Sequence, residues 1–164
     1  MMIKIITTGG TIDKIYFDAT SEYEIGEPTI PLIFKEVGVH VEYDLESLLR
    51  KDSLELTDAD RNLIKEQCEQ SSSDKILITH GTDTMCETAE HLISAGGIEG
   101  KTIVLTGALA PARFRVTDAV FNLGLAMGAV QSLPAGVYIA MSGEVFTAGK
   151  VRKNRKAGKF EVID

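Results

Sequence analysis

Cysteine is nearly absent: Cys68 and Cys86 are the only two in 164 residues. Both fall in helix-like segments without the spacing of a disulfide framework, so they read as buried free thiols. No apolar run approaches the roughly 20 residues that a membrane span needs. The start of the chain, Met1 to Ile6, lacks a basic segment, a long apolar stretch and a small-residue cleavage site. No secretory signal is read there, and a cytoplasmic protein is expected. Histidine is thin as well: His40, His80 and His91 are scattered, with no His-Glu-x-x-His and no paired cysteines, which argues against a metal centre. Gly-x-Gly-x-x-Gly, the Gly-Lys-Ser/Thr ending of a phosphate loop and the Gly-x-Ser-x-Gly elbow are all missing, so no cofactor is expected. The net charge of −7 leaves no broad basic surface for phosphate contacts, and nucleic acid is not expected as a partner.

What remains is an ordinary globular composition, 44% apolar and 25% charged. The length suits one hydrophobic core, so residues 1–164 are expected to form one domain. Compact apolar runs alternate with helix-like ones. Strands are expected over Met2 to Ile6, Lys75 to Thr79, Thr102 to Thr106 and Gly136 to Met141, and another over Val37 to Tyr43, where apolar and polar residues alternate. Helices are expected over Pro31 to Glu36, Leu56 to Glu69, Met85 to Ser94 and Asp118 to Val130. Thr57 and Asp60 stand as a capping box at the second of these. The loop from Asp18 to Pro28 is too polar and broken for an element. Ser142-Gly143-Glu144 reads as a turn, with Val145 to Thr147 as a hairpin partner. The pattern predicts an α/β fold: a Rossmann-like or flavodoxin-like open parallel sheet, helices on both faces, and a small β-hairpin near the C-terminus.

Two runs carry the chemistry, Thr8-Gly9-Gly10-Thr11-Ile12 and His80-Gly81-Thr82-Asp83-Thr84. Each follows a strand and hangs a threonine hydroxyl at its carboxyl end, on a turn that glycine lets bend sharply. In an open parallel sheet that rim is where ligands bind. Bland readings compete. Thr82 can simply cap the next helix with Asp83 at its positive end, and a Gly-Gly-Thr run can be only a tight turn. His80 reads as a support of its turn. Residues 150–159 carry Lys150, Arg152, Lys153, Arg155, Lys156 and Lys159 with no acid, which by itself reads as a solvated basic run.

In order, and after separate strands, the two runs resemble the signatures of the bacterial-type L-asparaginases, in the asparaginase/glutaminase family of amidohydrolases. Asp52-Ser53-Leu54-Glu55-Leu56-Thr57, Thr106-Gly107-Ala108-Leu109-Ala110-Pro111 and Thr117-Asp118-Ala119-Val120-Phe121-Asn122-Leu123 are similar to further stretches of that family. The resemblance spans nearly all of the chain and corresponds to the family's amino-terminal domain. It implies hydrolysis of L-asparagine to L-aspartate and ammonia, with Thr11 as nucleophile, Tyr23 as the tyrosine of a mobile lid, and Thr82, Asp83 and a lysine as a second catalytic group. Lys153 is the best placement of that lysine, with Arg152 and Lys156 as neighbours in register. Ser53 is implied to hold the substrate's α-carboxylate and Asp83 its α-ammonium. Leu54 stands where larger members carry a glutamine.

A threonine hydroxyl is a poor nucleophile until a base takes its proton. A lysine can serve once desolvation or like charge lowers its pKa from about 10.4 towards 7–8. The oxyanion needs donors, and the amides of Gly10, Thr11 or Thr82 are candidates. Family members continue into a second domain, so this chain is expected to be a short form and to assemble as a homo-oligomer, a dimer or dimer of dimers. Leu125, Met127, Val130 and Leu133 to Val137 are expected to meet another copy. Two other functions compete: a glutaminase-like subunit that supplies ammonia to a larger enzyme, and a non-catalytic amino-acid-binding module.

Overall fold

The computed structural model spans residues 1–164. Strand β1 (Ile3–Gly9) is followed by a 3₁₀ turn at Thr11–Asp13, then β2 (Lys14–Phe17), β3 (Glu22–Ile25) and helix α1 (Ile30–Val37). Next come β4 (Tyr43–Lys51), α2 (Asp58–Gln70), β5 (Lys75–Thr79), α3 (Met85–Ala95), β6 (Thr102–Thr106) and α4 (Ala119–Ser132). The chain ends with β7 (Gly136–Met141), β8 (Glu144–Thr147), β9 (Val151–Asn154) and β10 (Lys159–Val162).

The central sheet has the order β4-β1-β5-β6-β7-β8. Its first five strands are parallel and β8 runs antiparallel to β7. Counting only the parallel strands in chain order, this is 2-1-3-4-5, an arrangement whose switch point lies between β1 and β5. Strands buried on both faces need apolar residues at nearly every position. Ile6, Ile76, Ile78, Ile103 and Leu105 pack with α2 and α3, while Ile3, Ile5, Leu77 and Val104 pack with α1 and α4. Beyond β8, the β9–β10 hairpin adds Val151 and Phe160 to the first of these layers.

Local chemistry sets the element ends. Thr57 Oγ1 accepts from the Asp60 N–H at 3.2 Å and Asp60 Oδ2 accepts from the Thr57 N–H at 2.9 Å, closing the capping box of α2. Such a cap contributes about 1 kcal/mol. Ser142 (φ 54) and Gly143 (φ 85) form the two-residue connection of β7 and β8. Both angles are positive, as the hairpin turn that matches strand twist requires.

Four expectations are corrected. Val37 to Tyr43 is not a strand: Val37 completes α1, Gly38 ends it in the left-handed region (φ 72), and the strand starts at Tyr43. Val39 and Val41 pack against the α1/α4 core as loop residues, which produced the misleading alternation. The Asp18 to Pro28 loop contains β3, which pairs with β2 so that Tyr16 faces Tyr23. The basic run is a hairpin: five of its six cations are exposed, as a solvated run requires, but Val151 is buried and Lys153 only partly exposed. Met127 and Val130, 7% and 0% exposed, point into the core and are not free to meet another copy. The outward face of α4 carries Val120, Phe121, Gly124 and Gly128 instead.

Candidate active site

The carboxyl ends of β1 and β5 meet through glycine. Gly10 has φ 86 and ψ −178, a conformation essentially restricted to glycine. A Cβ placed on it would lie 2.5 Å from Gly81 N and 2.6 Å from Gly81 Cα. A Cβ on Gly81 would in turn lie 2.6 Å from Ser53 Cβ and 2.7 Å from Ser53 Oγ. The segments before Thr11 and Thr82 therefore touch backbone to backbone, and Ser53 closes on the same point from the end of β4. The Gly10 N–H donates to Lys51 O at 3.0 Å, which ties the turn to that strand.

Thr82, Asp83 and Lys153 form one polar cluster. Lys153 Nζ donates to Thr82 Oγ1 at 2.7 Å and to Asp83 Oδ1 at 2.8 Å. Strand alternation explains why Lys153 is the residue that arrives. Val151 and Lys153 share the inward face of β9, whereas Arg152 turns out to an ion pair with Glu161 at 2.7 Å and Lys156 sits exposed in the β9–β10 turn. The Lys153 side chain is only 13% exposed, and that of Asp83 is 32% exposed. Arg155 adds a second cation, its Nε 3.6 Å from Asp83 Oδ1. These contacts all use Oδ1, which leaves Asp83 Oδ2 open. Thr82 does not cap α3; the N-cap is Thr84. The Thr84 hydroxyl donates to Ser53 O at 2.8 Å and its N–H donates to Ser53 Oγ at 3.3 Å. Ser53 Oγ thus accepts one bond and keeps its own proton to give.

Thr11 opens the 3₁₀ turn and is partly exposed, with the following residues locked in place. Ile12 is fully buried, and its carbonyl accepts from the Ala112 N–H at 3.0 Å. Asp13 is 2% exposed and accepts from Thr29 N at 2.9 Å and Thr29 Oγ1 at 2.8 Å. Burial pushes its carboxyl pKa up, against the pull of the Thr29 hydrogen bonds. Tyr23 is not brought into hydrogen bonding with this cluster. Its ring, 52% exposed, packs on Tyr16 at 5.4 Å and edge-on to Phe114 at 5.7 Å.

Sequence reading missed three side chains, Thr84, Thr88 and Arg61. Arg155, two positions from Lys153, was one of several cations that could supply like charge there, but its place beside Asp83 did not stand out among them. Thr84 belongs to the second run but carries no signal for its bond to Ser53. Thr88 on α3 reaches His80 and Arg61 on α2 reaches Thr88, contacts no local spacing announces. His80 itself is fully buried, and burial pushes its pKa down to about 4, so the ring is neutral at ordinary pH. Burial likewise pushes the Cys68 thiol up to about 12 and the Cys86 thiol up to about 11, so neither supplies a thiolate.

An open α/β sheet with threonine-bearing turns at its switch point, one of them bonded to a lysine–carboxylate pair, defines a class of protein with polar chemistry at the strand ends. A family model described as Asparaginase, N-terminal, matches residues 2–161, and the chain belongs to this family. It is 33% identical over 162 residues to a probable periplasmic L-asparaginase of Haemophilus influenzae, covering 92% of this chain and 46% of that protein. It is 30% identical over 167 residues to a glutaminase-asparaginase of Acinetobacter glutaminasificans, covering 92% and 49%. The crystal structure of a probable cytoplasmic L-asparaginase from Campylobacter jejuni superposes with a TM-score of 0.76 at 31% identity, over 92% of this chain and 49% of that one. The chain spans about half the length of the curated relatives it matches. No helix is long and apolar enough to cross a membrane.

Proposed function

We propose that this chain is an amidohydrolase that cleaves the side-chain amide of L-asparagine, giving L-aspartate and ammonia through a threonyl ester. The observation that carries the reading is Lys153 Nζ within hydrogen-bond reach of both Thr82 Oγ1 and Asp83 Oδ1, beside the turn that bears Thr11. Thr11 Oγ1 attacks the amide carbon, forming a C–O bond as the carbonyl electron pair moves onto oxygen. Lys153 in its unprotonated form takes the released proton through Thr82 Oγ1, and Asp83 holds the ammonium so formed. That proton passes to the departing nitrogen, the C–N bond breaks, and ammonia leaves. Water then gives a proton to Lys153 through Thr82 Oγ1 as it attacks the ester carbon, the bond to Thr11 Oγ1 breaks as that oxygen takes the proton, and aspartate is released. The Ser53 hydroxyl is suited to donate to the substrate's α-carboxylate, and the open Oδ2 of Asp83 to accept from its α-ammonium. Tyr23, on the exposed β2–β3 hairpin, is placed in this scheme as the residue that closes over Thr11 when substrate binds.

The test is ammonia release from purified protein over several amides. Thr11→Ala and Thr82→Val are each expected to lower kcat on the order of 10³-fold or more. Undiminished turnover in either variant rejects the mechanism. Glutamine is the second substrate to assay, because one relative is named a glutaminase-asparaginase. One added methylene changes pocket affinity by only about 1–3 kcal/mol. A homo-oligomer joined through Val120, Phe121 and Leu125 on the outer side of α4 completes the proposal, and light scattering that finds only monomer removes it. The cytoplasm is the proposed compartment, to be tested by cell fractionation against the periplasmic label of the Haemophilus relative.

A further inference from the structure

His80 opens the second run, yet the hydrolytic scheme gives it no proton to move. Both of its ring nitrogens are engaged. Nδ1 lies 2.6 Å from the Gly81 carbonyl oxygen and Nε2 lies 2.7 Å from Thr88 Oγ1. A carbonyl oxygen only accepts, so the proton sits on Nδ1. The ring is neutral, its pKa held down by complete burial, and Nε2 is therefore a bare acceptor. The Thr88 hydroxyl must donate to it. The Thr88 oxygen in turn accepts from Arg61 Nε at 3.2 Å. Three bonds run in one direction, from Arg61 to Thr88 to His80 to Gly81, and each group leaves the next a single role.

The two ends of this series are anchored. Arg61 has a side chain only 9% exposed and lies 3.4 Å from Asp58 and 3.5 Å from Glu87, so its guanidinium is held between α2 and α3. At the other end, the Gly81 carbonyl belongs to the peptide plane that joins Gly81 to Thr82. In a trans peptide the N–H points opposite to the carbonyl. Holding the Gly81 oxygen towards His80 thus turns the Thr82 N–H away from it and sets the angle at which Thr82 Oγ1 meets Lys153. The reverse tautomer fails on two counts. It would set Nδ1 lone pair against carbonyl lone pair at 2.6 Å, and it would leave the Thr88 hydroxyl hydrogen between two donors with no acceptor.

We infer that Arg61 and Thr88 are positioning residues for the Thr82 turn, acting through His80, whose Nδ1–H tautomer the Gly81 carbonyl fixes and whose ring the Thr88 hydroxyl holds in place. The kinetic part rests on the function proposed above; the tautomer does not. The experiment is a long-range 1H–15N correlation spectrum of the labelled protein near pH 7, with His80 assigned by its loss in His80→Gln. The wild-type ring is expected to show a protonated Nδ1 and an unprotonated Nε2. Thr88→Val removes the donor to Nε2 and is expected to move the Nε2 15N resonance to that of an unbonded imine nitrogen, with ammonia release slowed roughly 10- to 100-fold, as for an ångström-scale misplacement, and KM nearly unchanged. Thr88→Ser is expected to restore both readouts. A protonated Nε2 in the wild-type protein overturns the inference, and that measurement needs no active enzyme. So does a Thr88→Val protein that keeps both the wild-type Nε2 resonance and the wild-type rate. Absence of turnover in the wild-type protein, with the Nδ1–H tautomer present and the Nε2 resonance moved in Thr88→Val, counts against the proposed hydrolysis alone and upholds the relay.

Discussion

Replacing Gly10 with alanine should disturb stability and chemistry together, by amounts the geometry sets. At φ 86 and ψ −178 an L-residue is strained, at a cost of about 1–3 kcal/mol. The new methyl would also stand 2.5 Å from Gly81 N, 2.6 Å from its Cα and 3.0 Å from the His80 carbonyl carbon. Ordinary contact begins near 3.4 Å, so the two turns must part by about 0.9 Å. All three obstructing atoms are backbone, and no side chain can swing aside. Overpacking of this kind costs about 1–3 kcal/mol. Together the penalties come to about 2–6 kcal/mol, a large part of the roughly 5–15 kcal/mol that holds a domain folded. Urea unfolding followed by circular dichroism reads this directly. Gly124→Ala serves as the control: nothing lies within 4 Å of its Cβ position, and an exposed helical glycine replaced by alanine should gain about 0.5–1 kcal/mol. Variant protein that remains folded should release ammonia roughly 100-fold more slowly, since Thr11 would be displaced relative to Thr82 by nearly an ångström. A Gly10→Ala protein within about 1 kcal/mol of wild type and fully active would refute the backbone contact between the two runs.

Two further outcomes follow from the same site. Lys153→Met and Lys153→Arg should both abolish turnover on the order of 10³-fold, because arginine keeps the positive charge beside Asp83 but does not release a proton. An active Lys153→Arg enzyme would mean that the cation only holds Asp83 in place. His80 makes stability depend on pH. Its ordinary value of 6.5 is pushed down to about 4 in the folded chain, chiefly by burial, so between these pH values the unfolded chain binds the extra proton. The stabilisation is complete above pH 6.5 and is lost as pH falls towards 4, by about 3 kcal/mol in all. Subtracting the stability-versus-pH curve of His80→Gln isolates that loss, and a flat difference over this window contradicts it.

Much of the sheet was legible because its inner strands are buried on both faces. Residues 75–79, 102–106 and 136–141 are short apolar runs, and their ends match the structure. The edge strand β4 was not legible. With one neighbour and half-buried side chains it carries Asp44 and Glu46, whose charges are met by Lys4 on β1 at 2.8 and 3.2 Å. That pairing is a tertiary fact, invisible along the chain. The hairpin of β2 and β3 was hidden for a similar reason: its residues are largely exposed, so no apolar face marks them. At the site, the threonine-bearing turns could be placed at strand ends from glycine and local pattern. Lys153 was preferred only through the family resemblance, because six cations in ten positions give no local reason to choose one until Val151 and Phe160 reveal which face of the hairpin is buried.

That last point gives the site its physical order of assembly. Val151 is 1% exposed and Phe160 5% exposed, both packed into the layer that holds α3. Their burial docks the β9–β10 hairpin beyond the edge of the sheet, against the helix whose first turn follows Asp83. With Val151 inward, alternation sends Arg152 outward to Glu161 and brings Lys153 inward. Its ammonium then meets Thr82 and Asp83 with the geometry of a charge-assisted pair. The apolar anchor comes first in this causal order. A salt bridge with one partner a third exposed is worth too little to fix a hairpin on its own, whereas two buried apolar side chains contribute about 1.5–3 kcal/mol each. Hydrophobic burial at positions 151 and 160 thus determines where the lysine can act, and the polar contacts select its final angle.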